Sequence, residues 1–273
     1  MKKVRLFMES MYHYGCWLIP FLRYENRTNY IPKESQQRSV TILANGPSLK
    51  TFVPLTTDTD YCTVNHSPLD ALFFEVKPKY HVLVDGGFFH GDESALVAKL
   101  NEVTWDMKLL VPYRDREVAQ KVYCSNPHIT MVPIHFVGLH DQFHNRKKAF
   151  RLFIKGWALP SPQNVSVAAV YCMINAGYRT INLYGTDHSW ISNMAVDDNN
   201  IVCRKDVHYY DKTVIDYTPI IIDGSYTTMC QELRSQADTF GAHQFLQEYA
   251  ESMGVRIVNY TEGSFIDAYP RGH

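Results

Sequence analysis

Short β-branched and apolar segments, each ending in glycine, proline, asparagine or aspartate, recur along this chain. The first, residues 39–44, runs directly into Asn45-Gly46-Pro47-Ser48, as a buried parallel strand runs into a loop. Segments of the same kind follow at 61–64, 80–84, 108–111, 129–132, 180–184 and 255–258. Seven such runs separated by longer stretches are typical of parallel strands that alternate with helices.

Two helices are indicated clearly between these runs. One is predicted over residues 165–176, capped by Asn164 and stopped by Gly177, and the other over 229–253, stopped by Gly254. The sequence therefore predicts an α/β fold with a Rossmann-like, mostly parallel sheet, helices on both faces, and a lid or insertion subdomain. The regular alternation fails near 136–163 and 189–225, and we expect these polar, aromatic-rich insertions to be at least partly ordered.

The chain of 273 residues divides by pattern into an N-terminal amphipathic helical extension, 1–35, and a nucleotide-binding catalytic domain, 36–273. Residues 1–23 begin with Lys2, Lys3 and Arg5 and continue with aromatic and aliphatic residues. Charged residues and Pro20 interrupt the run, so neither a transmembrane span nor a signal peptide is expected. The segment either lies in a membrane interface or packs on the domain or on a second copy of it.

The composition argues against nucleic acid as a partner. The net charge is −1, with 27 Lys and Arg against 28 Asp and Glu, so no general positive field favours nucleic acid. The six cysteines are scattered without CxxC spacing, which suits buried thiols in a reducing compartment. We expect a cytoplasmic protein, either free or peripheral on the inner face of the membrane.

The ends of parallel strands gather at one edge of the sheet, where open α/β folds bind ligands. Glycine there lets a backbone approach a ligand, helix amides bind anions, and amide or carboxylate side chains bind ribose. Neither a Walker A loop nor a GxGxxG fingerprint is present, and an ordinary turn or loop cap is the alternative at each position. The residues predicted to bind a nucleotide are Asn45, Gly46, Pro47, Ser48, Asn65, Asp85, Gly86, Asn164, Ser166, Gly185 and Asp187.

Residues 206–211, in the second insertion, have side chains suited to acid–base catalysis. His208 is followed by Tyr209 and Tyr210 and flanked by two aspartates, so it can act as a general base while the tyrosines donate to a departing phosphate. His188, which follows Asp187, is the second choice of base. A solvated or structural histidine is the alternative for either one.

These motifs resemble those of known transferases. The segment ANGPSL, Asn65, the unit GYRTINLYGTD and residues 261–264 are similar to the CMP-sialic-acid-dependent bacterial sialyltransferases of glycosyltransferase family 42, to the lipopolysaccharide-core Kdo transferases and to the wider DUF115 (MptE-like) superfamily. The resemblance covers residues 40–84 and 164–187, and 230–268 more loosely. It implies a fold of the GT-A-variant type.

The resemblance also implies roles for single residues. Asn45, Gly46 and Ser48 would lie in the nucleotide loop, Asn65 would contact the nucleotide, and Asn164 and Ser166 would lie near its ribose. Asp85 stands where the sialyltransferases have asparagine, and the catalytic histidine of the family has no aligned match. His208, Tyr209 and Tyr210 are chosen by their chemistry instead.

The expected function is inverting transfer of a sialic-acid-like or Kdo-like sugar from a CMP-activated donor to an oligosaccharide or glycolipid acceptor. No cofactor is expected to be required; if a divalent metal binds, Asp85 or Asp187 would be its ligand. The first alternative is a pyrophosphokinase or phosphotransferase that uses a nucleoside triphosphate. The second is a non-catalytic nucleotide-binding or glycan-binding module, and a homo-oligomer is left open.

Overall fold

The computed structural model describes residues 2–24, 39–54, 58–211, 213, 215–222 and 224–272. Its strands are β1 (Ser39–Leu43), β2 (Thr59–Val64), β3 (Tyr80–Val82), β4 (Met107–Pro112), β5 (Ile129–Ile134), β6 (Gly138–Leu139), β7 (Leu159–Pro160), β8 (Thr180–Tyr184), β9 (Met194–Val196), β10 (Val202–Arg204), β11 (Thr218–Pro219), β12 (Ile221–Ile222), β13 (Ser225–Tyr226) and β14 (Arg256–Asn259). Its helices are α1 (Lys2–Tyr24), α2 (Ala71–Val76), α3 (Gly87–His90), α4 (Ser94–Asn101), α5 (Arg116–Tyr123), α6 (Arg146–Ile154), α7 (Val165–Asn175) and α8 (Met229–Ser252).

Seven of these strands form one central, all-parallel sheet in the order β14-β8-β1-β2-β3-β4-β5. Each of the seven predicted strand segments contributes to it, so the α/β, Rossmann-like prediction is confirmed. From β1 the chain moves outward to β5 and then returns to the other side of β1 as β8. The strand order therefore reverses between β1 and β8.

Helices cover the sheet on both faces. In β4, Leu110 packs into the larger core with α7 and α8, whereas its neighbours Leu109 and Val111 pack into a second core with α4 and α5. Successive side chains of a strand point to opposite faces, and burial on both faces explains why these strands read as continuous apolar runs.

Both predicted helices are present. The Asn164 side chain accepts a hydrogen bond from the Ser166 N–H at the start of α7, and Gly177 follows the helix with a φ of 96°. Thr228 and Gln231 form a capping box at the start of α8, and Gly254 follows it with a φ of 66°. Asn164 marks the amino end of α7, which lies near the carboxyl ends of β1 and β8.

The two insertions are ordered where the structure describes them. The first contains β6, α6 and β7, and the short strands β6 and β7 pair in parallel. The second contains a three-stranded antiparallel sheet of β9, β10 and β11, and the hairpin of β12 and β13. Part of the second insertion, at 212, 214 and 223, lies outside the described residues.

The N-terminal extension begins as α1, and one face of this helix packs on the domain. Trp17 is buried in the larger core, and its indole N–H donates to the carbonyl of Trp157 at 3.1 Å. Residues 25–35 of the predicted extension lie outside the described residues. No helix in the described ranges is long and apolar enough to cross a membrane.

Candidate functional site

A polar cavity of about 290 Å³ opens at the carboxyl ends of β1 and β8. Open α/β sheets bind ligands in the crevice where strand order reverses, and this cavity lies at that point. Its walls come from the loops after β1, β2 and β8, the amino end of α7, the segment after β10 and the first half of α8. The predicted residues that line it are Asn45, Gly46, Pro47, Asn65, Asn164, Gly185, Asp187, His188 and His208.

The loops after β1 and β8 are in backbone contact on the cavity wall. The Gly46 N–H donates to the carbonyl of Gly185 at 2.8 Å. A Cβ on Gly46 would lie 1.9 Å from Asp187 Oδ2 and 2.5 Å from the Gly185 oxygen. Glycine is needed at position 46 because a side chain there would collide with these atoms. Backbone conformation is not the reason, because a φ of −65° suits any residue.

Asp187 holds the β1 loop in place. Its carboxylate accepts the backbone N–H of Ser48 at 3.1 Å and the Ser48 hydroxyl at 2.7 Å. Burial raises the pKa of Asp187, and the bonds from Ser48 oppose this shift. The Ser48 hydroxyl is thus directed to Asp187 rather than into the cavity, which is a correction to its predicted role as a nucleotide contact.

Three lining residues carry buried polar atoms without a hydrogen-bond partner: Asn65 Oδ1, Arg204 Nε and Gln236 Oε1. Such atoms are costly to bury unpaired, so their concentration around one cavity indicates a site that a polar ligand completes. Asn65 also adopts the left-handed conformation, with a φ of 51°, and strained backbone is common at ligand sites.

A buried histidine pair, His188 and His243, lies at the cavity wall. His188 Nε2 is 3.0 Å from His243 Nε2, and His243 Nδ1 is 2.9 Å from the Tyr269 hydroxyl. Ser166 is 3.3 Å from His188 and donates its hydroxyl hydrogen to Asn164. The Ser166 hydroxyl therefore contacts Asn164 and His188 and does not line the cavity. This corrects its predicted contact with the ribose. His188 itself lines the cavity and has a φ of 50°.

Both rings are neutral in the fold because burial disfavours their charged form. Burial lowers the pKa of His188 well below its ordinary value, with a further contribution from His243, and lowers the pKa of His243 to about 3. One neutral ring can then donate to the other across the 3.0 Å contact. This arrangement makes His188 a fixed hydrogen-bonding group rather than an easily protonated base.

The pair makes stability sensitive to acid. Below about pH 6.5 the unfolded chain protonates these histidines while the fold does not, so the free energy of unfolding falls by up to about 1.4 kcal/mol per pH unit for each ring. We expect His243→Gln to remove its share of this slope down to about pH 3, measured by urea unfolding at several pH values. His128→Gln, at a partly exposed ring, is the control; identical slopes for wild type and His243→Gln would contradict the assignment.

Positive charge enters the cavity from the second insertion. Arg204 and Lys205 both line it. The Arg204 guanidinium lies 3.6 Å from the buried carboxylate of Glu232 and 3.5 Å from that of Asp206. A guanidinium held in place by carboxylates can recognise phosphate or a ligand carboxylate.

His208 lines the cavity next to the β1 loop. Its backbone N–H donates to Asp211 Oδ2 at 2.6 Å, its Nδ1 is 3.8 Å from the same oxygen, and its ring stacks on Tyr210 at 5.1 Å. The His208 imidazole therefore lines the cavity with a carboxylate within ion-pair distance, which makes it a candidate general base.

The tyrosines do not line the cavity, which corrects their predicted role as donors to a departing phosphate. Tyr209 is buried against Leu43, Leu49 and Val76, and burial raises its pKa. Tyr210 stacks on His208. Their contribution is to hold the loop that carries His208, and the Tyr209 N–H also donates to the Asn45 carbonyl at 3.0 Å.

Asp85 and Gly86 also lie outside the cavity. The Asp85 carboxylate accepts the Gly87 N–H at 2.8 Å, and Gly86 precedes the short helix α3. The strand-end position is as predicted, but the side chain caps the next turn. Gly46, Asn65 and Asn164 therefore lie together on the cavity wall, whereas Asp85 does not.

Several lining residues were missed from the sequence: Gln163, Trp190, Asn193, Arg204, Lys205, Asp206, Glu232, Ser235, Gln236 and Thr239. The only signal was the pair Arg204-Lys205 shortly before His208. The residues of α8 lack any local motif. Within the described part of the chain, no three His, Cys, Asp or Glu side chains are arranged to hold a metal ion.

Comparison of the chain with protein-family models, with curated proteins and with solved structures finds no match.

Proposed function

We propose that this chain is a glycosyltransferase that moves an acidic, sialic-acid-like or Kdo-like sugar from a CMP-activated donor to a hydroxyl of a bacterial surface glycan. The observation that carries the proposal is the cavity at the strand-order reversal, where Asn65, Arg204 and Gln236 present unpaired polar atoms. Such crevices bind nucleotides in many α/β enzymes.

The nucleotide is assigned to the side of the cavity formed by Gly46, Asn65 and Asn164. Gly46 allows the β1 loop to pack closely against Gly185 and Asp187 on the cavity wall, and Asn65 Oδ1 can accept a hydrogen bond from an amino or hydroxyl group. The amino end of α7 at Asn164 adds the positive end of a helix dipole, which favours an anionic phosphate nearby.

The charges of the donor are assigned to Arg204 and Lys205. A CMP-activated acidic sugar carries one phosphate diester and one carboxylate, and two adjacent cations on one wall complement such a pair. Negative charge grows on the phosphate as the sugar leaves, so a cation there stabilises the transition state more than the ground state.

His208 is assigned as the base. It takes the proton of the acceptor hydroxyl as that oxygen forms a bond to the anomeric carbon, and the bond from this carbon to the phosphate oxygen breaks with its electron pair leaving on CMP. Attack from the face opposite the phosphate inverts the anomeric centre. Asp211, 3.8 Å from His208 Nδ1, stabilises the imidazolium that forms. The chemistry needs no metal, so we predict activity in EDTA.

A nucleoside-triphosphate phosphotransferase is the second candidate, and the same two cations favour it. Arg204 and Lys205 supply positive charge that a polyphosphate requires. Lys50 follows Leu49 in the glycine loop, but not in the GK[ST] pattern of a Walker A loop, and its Nζ donates to the Asp211 carbonyl at 3.4 Å. The two functions differ in their nucleotide, which a binding experiment resolves.

A thermal-shift screen against CMP, UDP, GDP and ATP tests the proposal. A ligand at 100 times its Kd raises the free energy of unfolding by about 2.7 kcal/mol, which corresponds to roughly 5–10 °C for a chain of this size. We expect CMP to give the largest shift and Asn65→Leu to reduce it, with Asn101→Leu, outside the cavity, as control. A shift with ATP alone would favour the phosphotransferase, and no shift with any nucleotide would overturn both.

A further inference from the structure

Helix α1 is fixed to the domain by one face. Ser10 accepts the His144 N–H at 2.9 Å, and His13 stacks on His140 at 4.5 Å. Tyr14 stacks on Phe143, and the buried Trp17 bonds to the backbone of Trp157. These contacts set the rotation of the helix about its axis, so the opposite face has a defined outward direction.

That opposite face is apolar and exposed along its whole length. Val4, Met8, Met11, Ile19 and Leu22, with Gly15 between them, follow one another at spacings of three or four residues and so form one stripe. The five apolar side chains are 53–69% exposed. Phe7 and Tyr12 widen the stripe and are equally exposed. A contiguous apolar surface of this kind marks an interaction site.

The charge of the helix indicates what covers this face. The α1 sequence contains Lys2, Lys3, Arg5 and Arg23 against the single acid Glu9, and Glu9 is paired with Arg5 at 2.8 Å. An isologous contact between two copies would bring cationic ends together, whether the helices run parallel or antiparallel. Anionic lipid headgroups complement the same charges, and the acyl boundary accepts the apolar stripe.

We propose that α1 lies in the surface of an anionic lipid membrane, with Val4, Met8, Met11, Ile19 and Leu22 directed into it. No described helix could cross the bilayer, so this is interfacial binding. The inference does not depend on the transferase proposal, but it suits a glycolipid acceptor. His140, on which α1 packs, is 3.2 Å from Asp238 of α8, and neighbouring residues of α8 line the cavity.

Flotation of the full chain with lipid vesicles tests the proposal. We expect binding to vesicles of phosphatidylcholine with phosphatidylglycerol, and little binding to phosphatidylcholine alone. Met8→Glu with Ile19→Glu should weaken binding about 100-fold or more, because two buried apolar side chains are lost. Lys2→Gln and Lys3→Gln should each weaken it roughly fivefold at low salt. Circular dichroism checks that each variant is folded.

The matched control is Val53→Glu with Ile221→Glu, which changes two exposed apolar residues outside α1 and should leave flotation unchanged. Absence of flotation with anionic vesicles, or equal flotation of the α1 variant and the wild type, would overturn the proposal. A dimer in light scattering that the α1 variant converts to a monomer, without vesicle binding, would assign the face to a second copy. Vesicle binding needs no sugar donor, so its failure is distinct from failure of the transferase proposal.

Discussion

Replacement of His208 by alanine is expected to slow sugar transfer about 10²- to 10⁴-fold, the usual loss when a general base is removed. His208 lines the cavity with Asp211 beside its Nδ1. The ring of His188, by contrast, is within hydrogen-bond distance of both Ser166 and His243. Affinity for the donor nucleotide should change little, because the base acts on the acceptor hydroxyl. Initial rates of CMP release with saturating acceptor, together with nucleotide binding by calorimetry, measure both quantities.

The control is His128→Ala. His128 is partly exposed and precedes β5, at the amino edge of the sheet, so its loss should leave the rate unchanged. Full turnover of His208→Ala would remove His208 from the mechanism. If His188→Gln then abolished transfer while its fold was intact, the second choice of base would take its place. A variant of Asp211, such as Asp211→Asn, should lose less than His208→Ala, since it only orients and stabilises the imidazole.

The sheet was predictable because burial on both faces leaves a direct trace in the sequence. Each parallel strand is a short apolar run, and the polar residue or glycine after it marks where the run leaves the core. The caps Asn164 and Gly177 are equally local, since they satisfy groups only a few residues away. These features place β1, β8 and α7, and hence the position of the cavity.

The direction of side chains at the strand ends was not predictable. Asp85 and Asp187 both follow a strand with glycine close by. Asp85 accepts the N–H of Gly87, two residues along the chain, whereas Asp187 binds Ser48 across the cavity wall. A carboxylate near a free backbone N–H can satisfy it locally, and sequence does not reveal which N–H lies within reach. Asp187 illustrates the difficulty, because its partner is 139 positions away in the chain.

The wall formed by Arg204 and Gln236 was missed for a related reason. Arg204 belongs to the small sheet of the second insertion and Gln236 to the first half of α8. Neither residue follows a strand of the central sheet. The expectation that ligand-binding residues lie just after such strands therefore could not identify them. Their side chains meet the cavity only through tertiary packing, which carries no periodic signal in the sequence.

Loss of Arg204 is expected to have the second large effect. Its guanidinium has a buried Nε without a partner and is positioned by Glu232 and Asp206. If it stabilises the leaving phosphate, Arg204→Gln should lower kcat/KM by about 10²- to 10³-fold, the loss typical of a preorganised transition-state contact. Most of this loss should appear in kcat, because charge on the phosphate grows during the reaction.

If Arg204 served only the fold, its loss would lower the rate only through lost stability, and restoring stability would restore kcat. The Glu232 carboxylate is buried, so removal of Arg204 leaves it without its cation and lowers the free energy of unfolding. Glu232→Gln with Arg204→Gln removes that unpaired charge and should restore stability without restoring kcat. Arg204→Lys should recover only part of the rate, since a lysine lacks the planar fork. Arg256→Gln, at the exposed amino end of β14, should leave kcat/KM unchanged, and rates for the double variant close to wild type would show that Arg204 serves the fold alone.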